Sequence, residues 1–189
     1  MGKREDILDA ALDIIVERGI RGLTLPLLFE RAKTGSGTFY HYFKGTEALV
    51  DELYAHCCDI AEEAVNEKDD ESLSVHERFD AAIANIFQAH RDFPRELRFI
   101  YWYAYGLVVP DAVTSRPVPS ISLLTQIIEE GQEEGLVTKG SPAVISARMI
   151  RGMVASCLWG HEHEYYVLTD EGSSWFSKRA WHLIENAEF

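Results

Sequence analysis

Cysteine is scarce, and the three present are poorly placed for cross-linking. Cys57, Cys58 and Cys157 are odd in number and follow neither disulfide nor zinc spacing, which fits a reducing cytoplasm. Adjacent cysteines form strained disulfides, so Cys57 and Cys58 are expected to be ordinary buried thiols rather than a redox pair. Long apolar runs are missing too: no stretch of about eighteen apolar residues exists, so no membrane span is expected. The opening MGKREDILDAALDII is interrupted by Asp9 and Asp13 and is followed by no small-residue cleavage site, unlike a signal peptide. There is no strand-like alternation, no internal repeat and no low-complexity tract. No Ser-His-Asp or Cys-His spacing, phosphate loop or metal motif appears, so neither an enzyme nor a cofactor is expected.

An excess of basic charge is also lacking, since the net charge is −13. Its distribution is uneven. Residues 1–50 hold seven Lys/Arg and seven Asp/Glu, and the remaining residues hold 11 positive and 24 negative, so the whole deficit lies beyond residue 50. A neutral end on an acidic body fits a DNA-facing segment, and it equally fits a merely solvated acidic surface.

What is present is helical periodicity. Ile7, Leu8, Ala11, Leu12 and Ile15 recur at helical spacing over 4–18, and Gly19 supplies a stop. Thr24 reads as the N-cap of a second helix reaching about Ala32, with Pro26 in its first turn. A third helix covers roughly Ser36 to Phe43, and a fourth runs from Thr46-Glu47 to about Lys68. After an acidic loop, Val75 to Asp92 is amphipathic, Phe93-Pro94 breaks it, and Arg95 to Val109 is rich in aromatics. Further helices are expected over Ser120–Gly131, from Ser141-Pro142 to about Leu168, and over roughly Gly172–Ala187. The chain reads as all-α, with about nine helices: residues 1–46 form a three-helix head and 47–189 a helical body.

The stretch TLPLLFERAKTGSGTFYHYFKGTEALVDELY, residues 24–54, has the shape of a helix-turn-helix, in which the second helix lies in the DNA major groove. The pieces ILDAALDIIVERGIRGLTL and ERAKTGSGTFYHYFKGTEAL, with Gly37 to Phe43 followed by Glu47-Ala48-Leu49, resemble the TetR (tetracycline repressor) family of bacterial transcriptional regulators. The resemblance covers about Ile7 to Leu53. It implies a homodimer whose heads bind an operator in double-stranded DNA and whose bodies bind a small-molecule inducer that releases it. The sequence departs from the family pattern at several places. Lys33 stands where a turn glycine is usual, so the positive-φ residue is expected at Gly35 instead. Thr34-Gly35 stands where a Val-Ser type pair is usual. Phe29 replaces an alanine, Thr46 lacks the usual basic residue, and Pro26 and Leu27 remove polar groups from the second helix.

Candidate DNA contacts follow. Ser36, Gly37 and Thr38 open the recognition helix, where side chains reach base edges and glycine permits close backbone approach. Tyr40, His41 and Tyr42 match positions at which the family contacts phosphates or bases, although Tyr42 serves equally well as core. Lys33 and Lys44 can neutralise phosphates, N–H groups near Thr24 can bind another, and Lys3 and Arg4 can form an arm. Phe39 and Phe43 are expected in the core.

In the body, Phe87, His90, Phe99, Trp102, Tyr103, Tyr105, Met149, Met153 and Trp159 form a candidate ligand pocket with aromatic and methionine walls. Any one of them fits plain helical core as well. The mixture points to an apolar or aromatic inducer. The last two helices are expected to pair with their copies, with Gly152, Ala155, Ser156 and Gly160 allowing close approach. Trp175, Phe176, Trp181, Leu183 and Ile184 give the final helix a wide apolar face. His161-Glu162-His163-Glu164 resembles a metal cluster, but residues i and i+2 of a helix point apart, so no metal is expected. The alternative function is a small-molecule or partner-binding dimer of the same fold with weakened or lost operator binding. Phe29, Pro26, Thr46 and the neutral head favour that alternative.

Overall fold

Apolar residues at three- and four-residue spacing define each described helix. The computed structural model describes residues 2–106 and 118–186, apart from the side chains of Glu67 and of residues 102–106. Among the described residues there are nine α-helices: α1 Lys3–Arg18, α2 Leu25–Arg31, α3 Ser36–Tyr42, α4 Thr46–Val65, α5 Val75–Asp92, α6 Pro94–Gly106, α7 Pro119–Glu133, α8 Ala143–Glu162 and α9 Asp170–His182. None is long and apolar enough to cross a membrane. The chain packs as two compact units, Met1–Ile60 with Phe93–Arg116 and Ala61–Asp92 with Pro117–Phe189.

In the first unit, α1 presents Ile7, Leu8, Ala11, Leu12, Ile14 and Ile15 to the core. It packs on α2, α3 and α6. The turn between α2 and α3 differs from expectation. Lys33 itself takes the left-handed conformation, with φ 48°, while Gly35 is extended at φ −105° and precedes α3. The helix end dictates this. Thr34 N–H donates to Phe29 O at 3.0 Å and Lys33 N–H to Glu30 O at 3.3 Å, a pairing that requires a left-handed residue right after Ala32. Phe29 fits beside the recognition helix by tilting against Phe39, ring centroids 5.6 Å apart. Cys57 and Cys58 are buried and not joined in a disulfide, and burial pushes the Cys57 thiol up.

In the second unit, α5 packs on α7 and α9, and α7 on α8. A capping box starts α5: Ser74 Oγ accepts from Glu77 N–H at 3.3 Å, and Glu77 Oε2 accepts from Ser74 N–H at 3.0 Å. Arg78 is buried and forks onto Asp69 at 2.6 and 3.0 Å while also pairing with Glu130, which ties the acidic loop to α7.

Two helix ends fall elsewhere than the periodicity suggests. The eighth helix stops at Glu162, not near Leu168. Glu164 turns left-handed at φ 60°, and Tyr165 N–H caps Gly160 O at 3.0 Å. Tyr166 then folds back over Gly160 and donates its hydroxyl to Cys157 O at 2.7 Å. A Cβ on Gly160 would stand 2.7 Å from that ring, so this glycine serves the fold-back. The last helix begins at Asp170 because Thr169 Oγ1 accepts from Gly172 N–H at 3.1 Å. It ends at His182, after which Ile184 and Asn186 pair with the 136–138 turn.

Candidate nucleic-acid interface

Helix α3 has only two turns, and its sequence divides it cleanly. Phe39 and Phe43, four residues apart, are buried and pack with their rings tilted, centroids 5.7 Å apart. They fix the helix by its inner side. Ser36, Gly37, Tyr40, His41 and Tyr42 are exposed, Tyr40 by 58%, and Thr38 is half-buried. Tyr40 packs edge-on to Phe39 at 5.1 Å, and His41 edge-on to Tyr42 at 4.9 Å, so the phenol and imidazole groups stand on supported rings. Gly37 lies in α3 with an ordinary φ, and a Cβ there would meet nothing within 4 Å. Nothing inside the described chain demands glycine at this position. Thr24, Lys33 and Lys44 are exposed as well, so all nine candidate DNA contacts lie in the first unit and reach solvent wholly or in part.

The charges are more constrained than the sequence suggests. Lys3 belongs to α1 and pairs with Asp6 at 3.3 Å, and Arg4 pairs with Glu52 at 2.5 Å, so the expected free arm is instead tied to helices. Arg31 forks onto Glu17 at 2.8 and 2.5 Å. That hydrogen bond holds the Glu17 carboxyl below the usual glutamate range and raises Arg31. Lys33 and Lys44 have no ion pair among the described residues and remain available to an outside anion.

The candidate ligand residues are only partly brought together. Phe87 and His90 are buried on one side of α5. Phe87 meets Phe176 edge-on at 5.4 Å, and His90 Nε2 lies 2.8 Å from Glu162 Oε1. Met153 is half-buried on α8. Met149 and Trp159 stand on the outer face of α8, 62% and 47% exposed, because the inner face is occupied by Ala147, Ile150, Val154 and Leu158. Trp159 stacks on His163 at 4.1 Å. Phe99 belongs to the first unit, where it meets Tyr54 at 6.3 Å. The side chains of Trp102, Tyr103 and Tyr105 lie outside the described residues. An open groove of about 470 Å³ between α5 and α9, lined by Asp80, Ala84, Asn85, Gln88 and Ser174 among others, includes none of the candidates. The expected apolar face of the final helix is divided: Phe176, Trp181 and Ile184 are buried within the unit, and Trp175 and Leu183 face out.

Sequence reasoning missed three polar anchors. Glu162 holds His90 from 72 positions away. Buried Arg151 donates Nε–H to Ser120 Oγ at 2.7 Å. Arg95 reaches α1 across 82 positions. No local spacing signals the first two. For Arg95 the acidic stripe of α1 is a signal, visible once its periodicity is noticed.

Comparison with known proteins agrees with this geometry. Residues 7–53 match the model of bacterial regulatory proteins, tetR family. The HTH-type transcriptional regulator YhgD of Bacillus subtilis is 23% identical over 164 residues, covering 85% of this chain and 86% of that protein. A tetR family transcription regulator from Shewanella sp. PV-4 superposes with a TM-score of 0.83 at 16% identity, over 99% of this chain and 100% of the other. The regulator FadR from Bacillus subtilis, solved in complex with stearoyl-CoA, gives 0.74 at 20% identity over 95% and 96%. Residues 7–53 are thus a helix-turn-helix segment that matches the tetR family of bacterial regulatory proteins, and the chain shares the fold of solved members of that family along its length.

Proposed function

We propose that the chain is a ligand-responsive repressor: a cytoplasmic homodimer that binds an operator through residues 1–46 and leaves it when residues 47–189 bind a small apolar or aromatic molecule. The observation that carries this reading is the divided recognition helix, whose phenylalanines anchor it and whose Ser36, Gly37, Tyr40, His41 and Tyr42 are presented outward. Ser36, Gly37 and Thr38 approach base edges. Tyr40, His41, Tyr42, Lys33, Lys44 and the backbone at Thr24 hold phosphates. The buried Phe87 and His90 are the ligand-facing candidates, and the stearoyl-CoA seen with FadR supports an apolar ligand class. For release, the ligand must bind the non-operator conformation better, and operator and ligand then oppose each other by the same factor.

A second reading, a binding dimer of this fold with weak operator affinity, is favoured by one set of observations. Arg4 and Arg31 are neutralised by Glu52 and Glu17, and Thr46 supplies no positive charge. The test is a DNA-binding titration of the Tyr40→Phe, Lys44→Ala variant. On the repressor reading, operator affinity falls and the slope of log K against log salt shrinks by about one, with sedimentation unchanged. Unchanged affinity would refute the assigned contacts.

A further inference from the structure

One side of α1 carries an acidic stripe, Asp6, Asp9, Asp13 and Glu17, at helical spacing. Its arginine partners come from different elements. Arg31, at the end of α2, forks onto Glu17 at 2.8 and 2.5 Å. Arg95, the second residue of α6, bridges Asp13 at 2.6 Å and Asp9 at 3.1 Å, with Glu96 at 3.3 Å behind it. The helix-turn-helix pair sits beyond α1. Helices α2 and α3 have seven residues each, far below the roughly 12–15 at which a helix holds itself, so their orientation is borrowed from α1.

The apolar inner face of α1 supplies burial, and burial has no preferred direction. A guanidinium shared between carboxylates does have one. It fixes the rotation of α1 about its own axis relative to α6. We propose that Arg95 is a positioning residue for DNA binding, clamping α1 to α6 so that α3 is held in the orientation that meets the operator. This rests on the operator-binding reading above. Arg95 follows the Phe93-Pro94 break directly, so it adds a directional tie between the start of α6 and α1 to the apolar packing of the two helices.

The experiment is a titration of full-length protein against a fluorescent DNA fragment flanking its own gene and a scrambled fragment, at several salt concentrations. It compares wild type, Arg95→Ala, the charge swap Arg95→Asp with Asp13→Arg, and Arg91→Ala. Arg91 pairs with Asp170 in the second unit and serves as the control ion pair. The expected result is that Arg95→Ala weakens selective binding by about 5- to 20-fold with the salt slope and thermal midpoint near wild type. The charge swap recovers most of the loss, and Arg91→Ala changes nothing. Arg95→Ala binding like wild type would overturn the proposal. So would a salt slope smaller by about one, which would make Arg95 a direct phosphate contact. If wild type itself does not distinguish the fragments, the operator reading fails and the clamp fails with it.

Discussion

Lys33 illustrates what single residues impose. A lysine in the left-handed region costs about 1–2 kcal/mol relative to glycine, yet it stands at the turn with its amine exposed and unpaired among the described residues. Strain of this kind is retained where a side chain is needed for something outside the fold. The sequence suggested relief at Gly35, because φ is not encoded by composition. It is set by the carbonyls of Phe29 and Glu30, which need capping one residue after Ala32. Asp51 is a second residue-scale case. One of its carboxylate oxygens is buried without a hydrogen bond among the described residues, and desolvation, then the charge of Glu47, raises its pKa. A raised acid pKa means that the penalty is absent below the ordinary aspartate value and appears as pH rises through the folded value. Asp51→Asn should therefore raise the unfolding midpoint at about neutral pH, and the gain should vanish near about pH 3, below the ordinary aspartate pKa. A gain that persists in acid would show that the charge is not the cause.

Among the elements, the short recognition helix gives the sharpest test. Gly37→Ala should stabilise α3 by up to about 1 kcal/mol, since a Cβ there touches nothing. It should nevertheless weaken operator binding severalfold, because the new methyl stands where DNA backbone or bases must come close. A variant both more stable and equally tight would move Gly37 off the interface. Most helices were legible from apolar spacing: Ile7, Leu8, Ala11, Leu12 and Ile15 are all buried on α1 as their periodicity requires. Helix ends were less legible where long-range packing decides them. Nothing local in Gly160-His161-Glu162 announces that Tyr166 will return to lie over the glycine. The nine candidate DNA residues come from one short stretch, Thr24 to Lys44, whose exposure follows from the local helix pattern. The candidate ligand residues are scattered, and whether Met149 faces inward or outward depends on which face of α8 its neighbours occupy.

At the scale of the whole molecule, α8 is apolar on two sides. Its inner side is buried, while Val144, Ile145, Met149 and Trp159 are exposed on the other, with Gly152 and Ser156 exposed among them. A cluster of exposed apolar side chains of this size marks a surface meant to be covered. On the homodimer reading a second copy covers it, so Met149→Asp should shift sedimentation from dimer to monomer with helical content retained. A dimer of unchanged stability would place the seam elsewhere. The acidic body outside this face keeps copies from associating at random, and on the operator reading the exposed Lys33 and Lys44 of the neutral head meet phosphates. The most direct test of the central claim is fluorescence anisotropy of the wild-type protein against DNA fragments flanking its own gene, across a range of salt. An operator-binding head gives saturable binding that selects one fragment and weakens steeply as salt rises. Weak binding, equal on every fragment, would contradict it.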